Sequence, residues 1–254
     1  MKHADFLVKS HKKESDMTPE KPENLCMNMP LIGDKAPSFV ARTTNGIIKF
    51  PEQYIGRWII LFSHPMDFTP VCTTEFMSFQ AEMDDFQRLN TELVGLSVGA
   101  ITSHLAWFRS IHEEINFNGL RNIIIKFPVI EDIDLHISKL YGMIHPNTSE
   151  TKTVRAVFII DDKGIIRTVL YYPQTTGRNI KEIKRILIAL QTSDIFGVST
   201  PANWMPGDKI IKPIPKTSAE MNKKLQKQNK DVQTWYFTLG VLPESKIFNK
   251  IKKK

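Results

Sequence analysis

The chain has 254 residues, 41% of them hydrophobic and 24% charged, with a formal net charge of +7. This is globular composition, long enough for one large domain with an appendage or for two small domains. No apolar run approaches the ~18 residues that cross a membrane, and two cysteines, Cys26 and Cys72, are too few for a disulfide scaffold.

The charge is unevenly spread. From Lys212 to Lys254 eleven lysines face Glu220, Asp231 and Glu244, whereas the stretch from Asn28 to Ile211 is close to neutral. A lysine-rich tail reads as a solvated arm, so no nucleic-acid partner is expected. The first residues, MKHADFLVKSHKKESD, are polar and lack the apolar core of a secretory signal. A cytoplasmic setting with reduced thiols follows as the expectation.

In chain order, residues 1–28 are polar, broken by Pro19 and Pro22, and read as a flexible extension. Residues 58–63 (WIILFS) form an apolar run of strand length. Residues 72–89 have helical spacing, with Phe76, Phe79, Met83 and Phe86 on one face. A strand over 93–98 precedes a helix over 103–115 whose inward residues are expected to be Leu105, Phe108 and Ile115. A short strand at 127–130 and a helix at 135–141 follow. Residues 155–160 and 165–172 flank Asp161-Asp-Lys-Gly164, a hairpin turn. An Ile- and Leu-rich helix covers 180–190. Alternating buried strands and helices predict an α/β layer fold, with antiparallel pairing at the late hairpin.

After residue 193 the pattern changes. Pro201, Pro206, Pro213, Pro215 and Pro243 punctuate a polar segment carrying Trp204, Trp235, Tyr236 and Phe237. It has little core of its own and is expected to pack on the main domain or on a partner subunit.

The informative stretch is His64-Pro-Met-Asp-Phe-Thr-Pro-Val-Cys-Thr-Thr-Glu75, which follows a strand and opens a helix. Thr69 suits the N-cap and Pro70 the first helical position, where a missing N–H costs nothing. Cys72 then falls in the first turn, among unpartnered N–H groups at the positive end of the dipole. Both favour a thiolate, the nucleophilic form of cysteine. The same spacing is also compatible with an inert buried cysteine.

The stretch resembles the active-site signature of the peroxiredoxins, in the form used by their one-cysteine, peroxiredoxin-6-like group. The core pattern, Pro65-x-x-x-Thr69-x-x-Cys72, is complete. Further similar segments lie at residues 30–39, 154–160, 172–179 and 200–204, so the likeness runs over roughly 29–215. It implies a thioredoxin-like α/β fold over residues 29–193, followed by a C-terminal arm over 194–254 that packs in a homodimer, with a decamer as a further assembly. It also implies a thiol-dependent peroxidase that reduces hydrogen peroxide and organic hydroperoxides to water and alcohols.

The resemblance assigns roles by position. Cys72 is the peroxidatic cysteine and forms a sulfenic acid. Thr69 bonds the sulfur and the peroxide, Pro65 shields the site from water, and Arg155 activates the thiolate. His64 lines the pocket, and Glu75 organises an arginine network with Arg178. Taken without the family, Arg155 reads as a charge at a strand edge, His64 as a polar residue at a strand end, Arg178 as a surface ion-pair partner, and Glu75 as a complement to the helix dipole.

No cysteine follows Cys72. An external thiol such as thioredoxin or glutathione is therefore the expected reductant, with Cys26 outside the matched region. Some peroxiredoxin-6-like proteins carry a phospholipase activity that needs a serine and a histidine near the start of the domain. Residues 50–57 contain neither, so it is not expected here. No metal site and no cofactor are expected, since the seven histidines show no ligand spacing and no Gly-rich phosphate loop is present.

Overall fold

The computed structural model describes residues 29–226 and 231–252. The extension assigned to residues 1–28, with Cys26, lies outside the described residues.

A hairpin, β1 (Phe39–Thr43) and β2 (Gly46–Phe50), leads through a short 3-10 turn into β3 (Trp58–Ser63). There follow α1 (Pro70–Ala81), α2 (Met83–Arg88), β4 (Thr91–Ser97), α3 (Ile101–Glu114), β5 (Val129–Glu131) and α4 (His136–Leu140). Then come β6 (Arg155–Ile160), β7 (Ile166–Tyr172) and the long α5 (Ile180–Phe196). The sheet runs β2-β1-β5-β4-β3-β6-β7, with β3, β4 and β5 parallel and the remaining neighbours antiparallel. This is the α/β, thioredoxin-like arrangement that the sequence pattern and the resemblance lead one to expect.

The continuous apolar runs have a direct cause. Side chains alternate between sheet faces with a period of two, and a strand covered on both faces needs apolar residues at every position. In β3, Trp58, Ile60 and Phe62 join a core formed with Phe76, Phe79, Trp107 and Leu187. Ile59 and Leu61 join the opposite core, with Tyr141, Phe158 and Ile160. In β6, Val157 and Ile159 belong to the α1 side and Ala156 and Phe158 to the other. The same alternation puts Arg155 on the α1 side, on a strand flanked by β3 and β7 rather than at the sheet's edge.

Two sequence expectations are corrected. The helix expected over 72–89 is two helices, separated at Glu82. Leu105 is 49% exposed, and the inward face of α3 consists of His104, Trp107 and Ile111, with Phe108 and Ile115 packed at its margin. The i, i+3, i+7 stripe beginning at a histidine wins because His104 finds a buried partner, described below.

The segment after α5 adds the two-stranded β8 (Ile210–Ile211) with β9 (Leu239–Gly240), and the helices α6 (Ser218–Leu225) and α7 (Glu244–Ile251). It joins the body by apolar side chains: Trp204, Ile210, Leu242, Ile247 and Ile251 are buried in the same core as α5. In α7, Ile247 and Ile251 lie one turn apart on the inner face, while Lys246 and Lys250 are exposed.

Candidate active site

β3 ends at Ser63, and residues 64–69 carry the chain across to α1. The start of the crossing is pinned on both sides. The His64 N–H donates to the Leu96 carbonyl at 3.0 Å, and the Thr153 hydroxyl donates to the His64 carbonyl at 2.9 Å. Phe68 takes a left-handed backbone (φ 53°), turning the chain so that Thr69 is extended and Pro70 opens the helix. Thr69 occupies the N-cap, but its hydroxyl donates to the Met66 carbonyl (3.0 Å) instead of capping an N–H. Its own carbonyl accepts from the Thr73 hydroxyl at 2.9 Å. Pro65 is buried, Thr69 is half-buried, and Met66 and Phe68 are exposed.

Cys72 lies in the first turn of α1, fully buried. Arg155 brings a charge to it, with Nη1 at 3.4 Å from Cys72 Sγ. The guanidinium is held from two further sides. Nη1 also donates to Glu75 Oε2 at 2.7 Å, while Nε and Nη2 both donate to the Gln174 carbonyl. Glu75 is shared with Arg178, whose Nε and Nη2 take its two oxygens at 2.8 and 2.6 Å. The Arg178 backbone N–H donates to Glu75 Oε1 as well. Arg178 Nη1 donates to the Ser63 and Ala156 carbonyls, and its guanidinium lies against the Phe62 and Phe79 rings.

Glu75, Arg155 and Arg178 are all buried. Burial pushes the Glu75 carboxyl up, but the Arg178 and Arg155 charges and hydrogen bonds outweigh it and hold the group below its ordinary value. Two cations share one carboxylate, so the cluster keeps a net positive charge beside the sulfur. A positive charge and the first helical turn together favour an anion there.

Each residue singled out from the sequence thus falls within or beside this region. Cys72, Arg155, Glu75 and Arg178 are joined by direct contacts. Thr69, Pro65 and His64 belong to the segment leading into α1. The edge-charge and surface-pair readings of Arg155 and Arg178 do not hold, since both are buried. Sequence reasoning missed Asp67, Ser103 and His104, which come together in the same region, Asp67 bonding both of the others. Asp67 stands inside the conspicuous stretch, but its partners on α3 carry no local signal.

A thioredoxin-like sheet presents one cysteine at a helix start, against a buried guanidinium and with no second cysteine among the described residues. The sequence profile of the AhpC/TSA family matches residues 32–169, and that of the C-terminal domain of 1-Cys peroxiredoxin matches residues 189–228. A peroxiredoxin of Methanosarcina mazei is 54% identical over 213 residues, covering 83% of this chain and 97% of that protein. One from Aquifex aeolicus is 47% identical over 220 residues, covering 83% and 96%. Among solved structures, a yeast mitochondrial 1-Cys peroxiredoxin superposes with a TM-score of 0.73 at 38% identity, covering 84% of this chain and all of that one. A cysteine-to-serine mutant of the peroxiredoxin 6 of Arenicola marina gives 0.72 at 33% identity, covering 84% and 99%. The chain belongs to the peroxiredoxins of the AhpC/TSA family, with the C-terminal domain of their one-cysteine members. Its activity is that of a thiol peroxidase. No helix among the described residues is long and apolar enough to cross a membrane.

Proposed function

We propose that Cys72 is the peroxidatic residue and reduces both hydrogen peroxide and organic hydroperoxides. The contact that carries this reading is Arg155 Nη1 at 3.4 Å from Cys72 Sγ, at the start of α1. The thiolate attacks one peroxide oxygen. An S–O bond forms, the O–O bond breaks, and the leaving oxygen departs as hydroxide or alkoxide and takes up a proton. Cys72 becomes a sulfenic acid, and the peroxide becomes water or an alcohol. Charge grows on the leaving oxygen, so donors already in place lower the barrier. Arg155 and the Thr69 hydroxyl are those donors, with the Thr69 hydroxyl turning from Met66 to the substrate.

Pro65 screens the thiolate from water, and His64 lines the pocket. Glu75 and Arg178 hold Arg155 in place. Cys72 is fully buried, and the exposed residues of the segment that leads to it are Met66 and Phe68, beside the half-buried Thr69.

An external thiol completes the cycle. It condenses with the sulfenic acid, releasing water and leaving a mixed disulfide, and a second thiol then frees Cys72. Glutathione and thioredoxin are the reductants to test first, since the yeast mitochondrial relative is described as resolved through both systems. We assign the extension to residues 1–28, the peroxidase domain to 29–193 and the arm to 194–254, with a homodimer as the working unit. Light scattering on the purified chain tests the dimer.

The decisive measurement is peroxide consumption with each reductant, paired with mass spectrometry of Cys72. The expected result is loss of all turnover in Cys72→Ser and little change in Cys26→Ser. Turnover that survives Cys72→Ser, or a Cys26–Cys72 disulfide required in every cycle, would defeat the assignment.

A further inference from the structure

A second buried cluster is built on the 64–69 segment. Asp67 accepts three hydrogen bonds: from His64 Nε2 on Oδ1 at 2.9 Å, and from His104 Nδ1 and Ser103 Oγ on Oδ2 at 2.8 and 2.6 Å. His64, Asp67 and His104 are 0–5% exposed, so none of them can exchange these partners for water. The three ligand atoms lie close enough to suggest a metal site. Their contacts, however, are hydrogen-bond lengths, and Asp67 is already satisfied by protons; a metal with bonds of ~2.1 Å would have to displace them.

The protonation pattern follows from the donors. Burial pushes the Asp67 carboxyl up, but the hydrogen bonds from His104 and His64 overcome it and hold the group well below its ordinary value. It is an anion and only accepts. Burial drives His64 down from its ordinary value, so that imidazole is neutral. A neutral ring facing an anion through Nε2 must carry its proton there. His64 Nδ1 is then a bare acceptor. It is buried and has no hydrogen-bond partner among the described residues.

α3 provides the anchorage. Ser103 and His104 grip Asp67, and one turn on, Trp107 Nε1 donates to the hydroxyl of Thr73, the neighbour of Cys72, at 3.1 Å. The His64 ring packs on Phe76 and Trp107, with centroids 4.6 and 5.2 Å away.

We propose that Asp67 and His104 are positioning residues of the peroxidase: Asp67 fixes His64 as the Nε2–H tautomer and ties the segment bearing Pro65 and Thr69 to α3, and His104 holds Asp67 in place. The proposal rests on the reading of Cys72 as the attacking thiolate. It gives His64 a defined state, a buried ring whose Nδ1 is an unpartnered acceptor.

The test combines stopped-flow oxidation of Cys72 by hydrogen peroxide with ¹⁵N chemical shifts of the His64 ring. Asp67→Asn keeps the shape but replaces one acceptor with an NH2 donor, so one imidazole must change tautomer. The oxidation rate is expected to fall about tenfold or more, the scale of loss from a displaced positioning group, with altered His64 shifts. His104→Phe keeps the ring volume and removes the donor, and the rate should fall similarly. His104→Asn restores a donor near the Nδ1 position and should recover most of the rate.

A wild-type His64 spectrum with the proton on Nδ1 overturns the proposal. So do equal losses in His104→Phe and His104→Asn, or wild-type rates in both Asp67→Asn and His104→Phe. Should Asp67→Asn not fold, the His104 pair and the wild-type spectrum still decide. Cys72→Ser, run alongside, separates the two claims: residual peroxide consumption there defeats the reading of Cys72, whereas altered Asp67 and His104 results bear only on positioning.

Discussion

The charged groups beside Cys72 and those of the C-terminal segment obey opposite rules. Around the cysteine, Glu75, Arg155 and Arg178 are sealed from solvent and bonded to one another and to backbone carbonyls. In α7, Lys246 and Lys250 face water, and the helix is held instead by Ile247 and Ile251. Removing one member of a buried ionic set strands the others without solvation, whereas removing an exposed lysine costs almost nothing. The cluster beside Cys72 is therefore a place where single changes carry large consequences for stability. The arm depends on shape and apolar area.

The sharpest way to break this contrast is Glu75→Gln. It leaves two buried guanidinium groups without a balancing charge, and a loss of about 3–5 kcal/mol is expected in urea unfolding. A loss under about 1 kcal/mol would mean that water reaches the cluster. The variant also sharpens the pH dependence. A carboxylate depressed in the folded state contributes stability above its unfolded value of 4.5, and that contribution disappears as pH falls through the folded value. His64 acts in the same direction, because a base depressed by burial takes up its proton more readily in the unfolded chain once pH drops below 6.5. The wild type should thus lose stability in two stages on acidification, and Glu75→Gln should lack the Glu75 part of the lower stage. An unchanged profile below pH 4.5 would remove Glu75 from the account.

Arg155→Ala comes next. Peroxide attack should slow by about 10²–10³, the effect of removing one preorganised donor at a developing charge. Stopped-flow rates near the wild type would place the activating charge elsewhere. In the arm, Ile247→Ala should cost about 2–5 kcal/mol through the cavity it leaves in the core shared with α5. A smaller loss would show that α7 docks loosely. Lys250→Ala should fall within about ±0.5 kcal/mol, as exposed substitutions do. Thermal unfolding measures both.

Legibility in the sequence follows distance along the chain. Cys72, Thr69 and Pro65 lie within eight residues of one another, so their relation is set by one strand end and one helix start. Arg155 is farther away, but the period of its strand decides which face it occupies. The Asp67–His104 and Glu75–Arg178 contacts link residues 37 and 103 positions apart, and no local pattern encodes them. The inward expectation for Leu105 fails for the same reason. Counting apolar residues favours it, whereas a histidine takes the inner face because a carboxylate from another segment waits there.

The amino-acid sequence alone determined the alternation of strands and helices, the place of Cys72 at a helix start, and the family likeness, because each depends on residues close together or on a repeating period. Only the tertiary structure decided which charges are buried, which carboxylate serves two histidines, and that the last helix lies on α5. Burial makes those choices. An ion removed from water must find its partner wherever the folded chain brings one within about 3 Å, and that nearness is a property of the packed molecule.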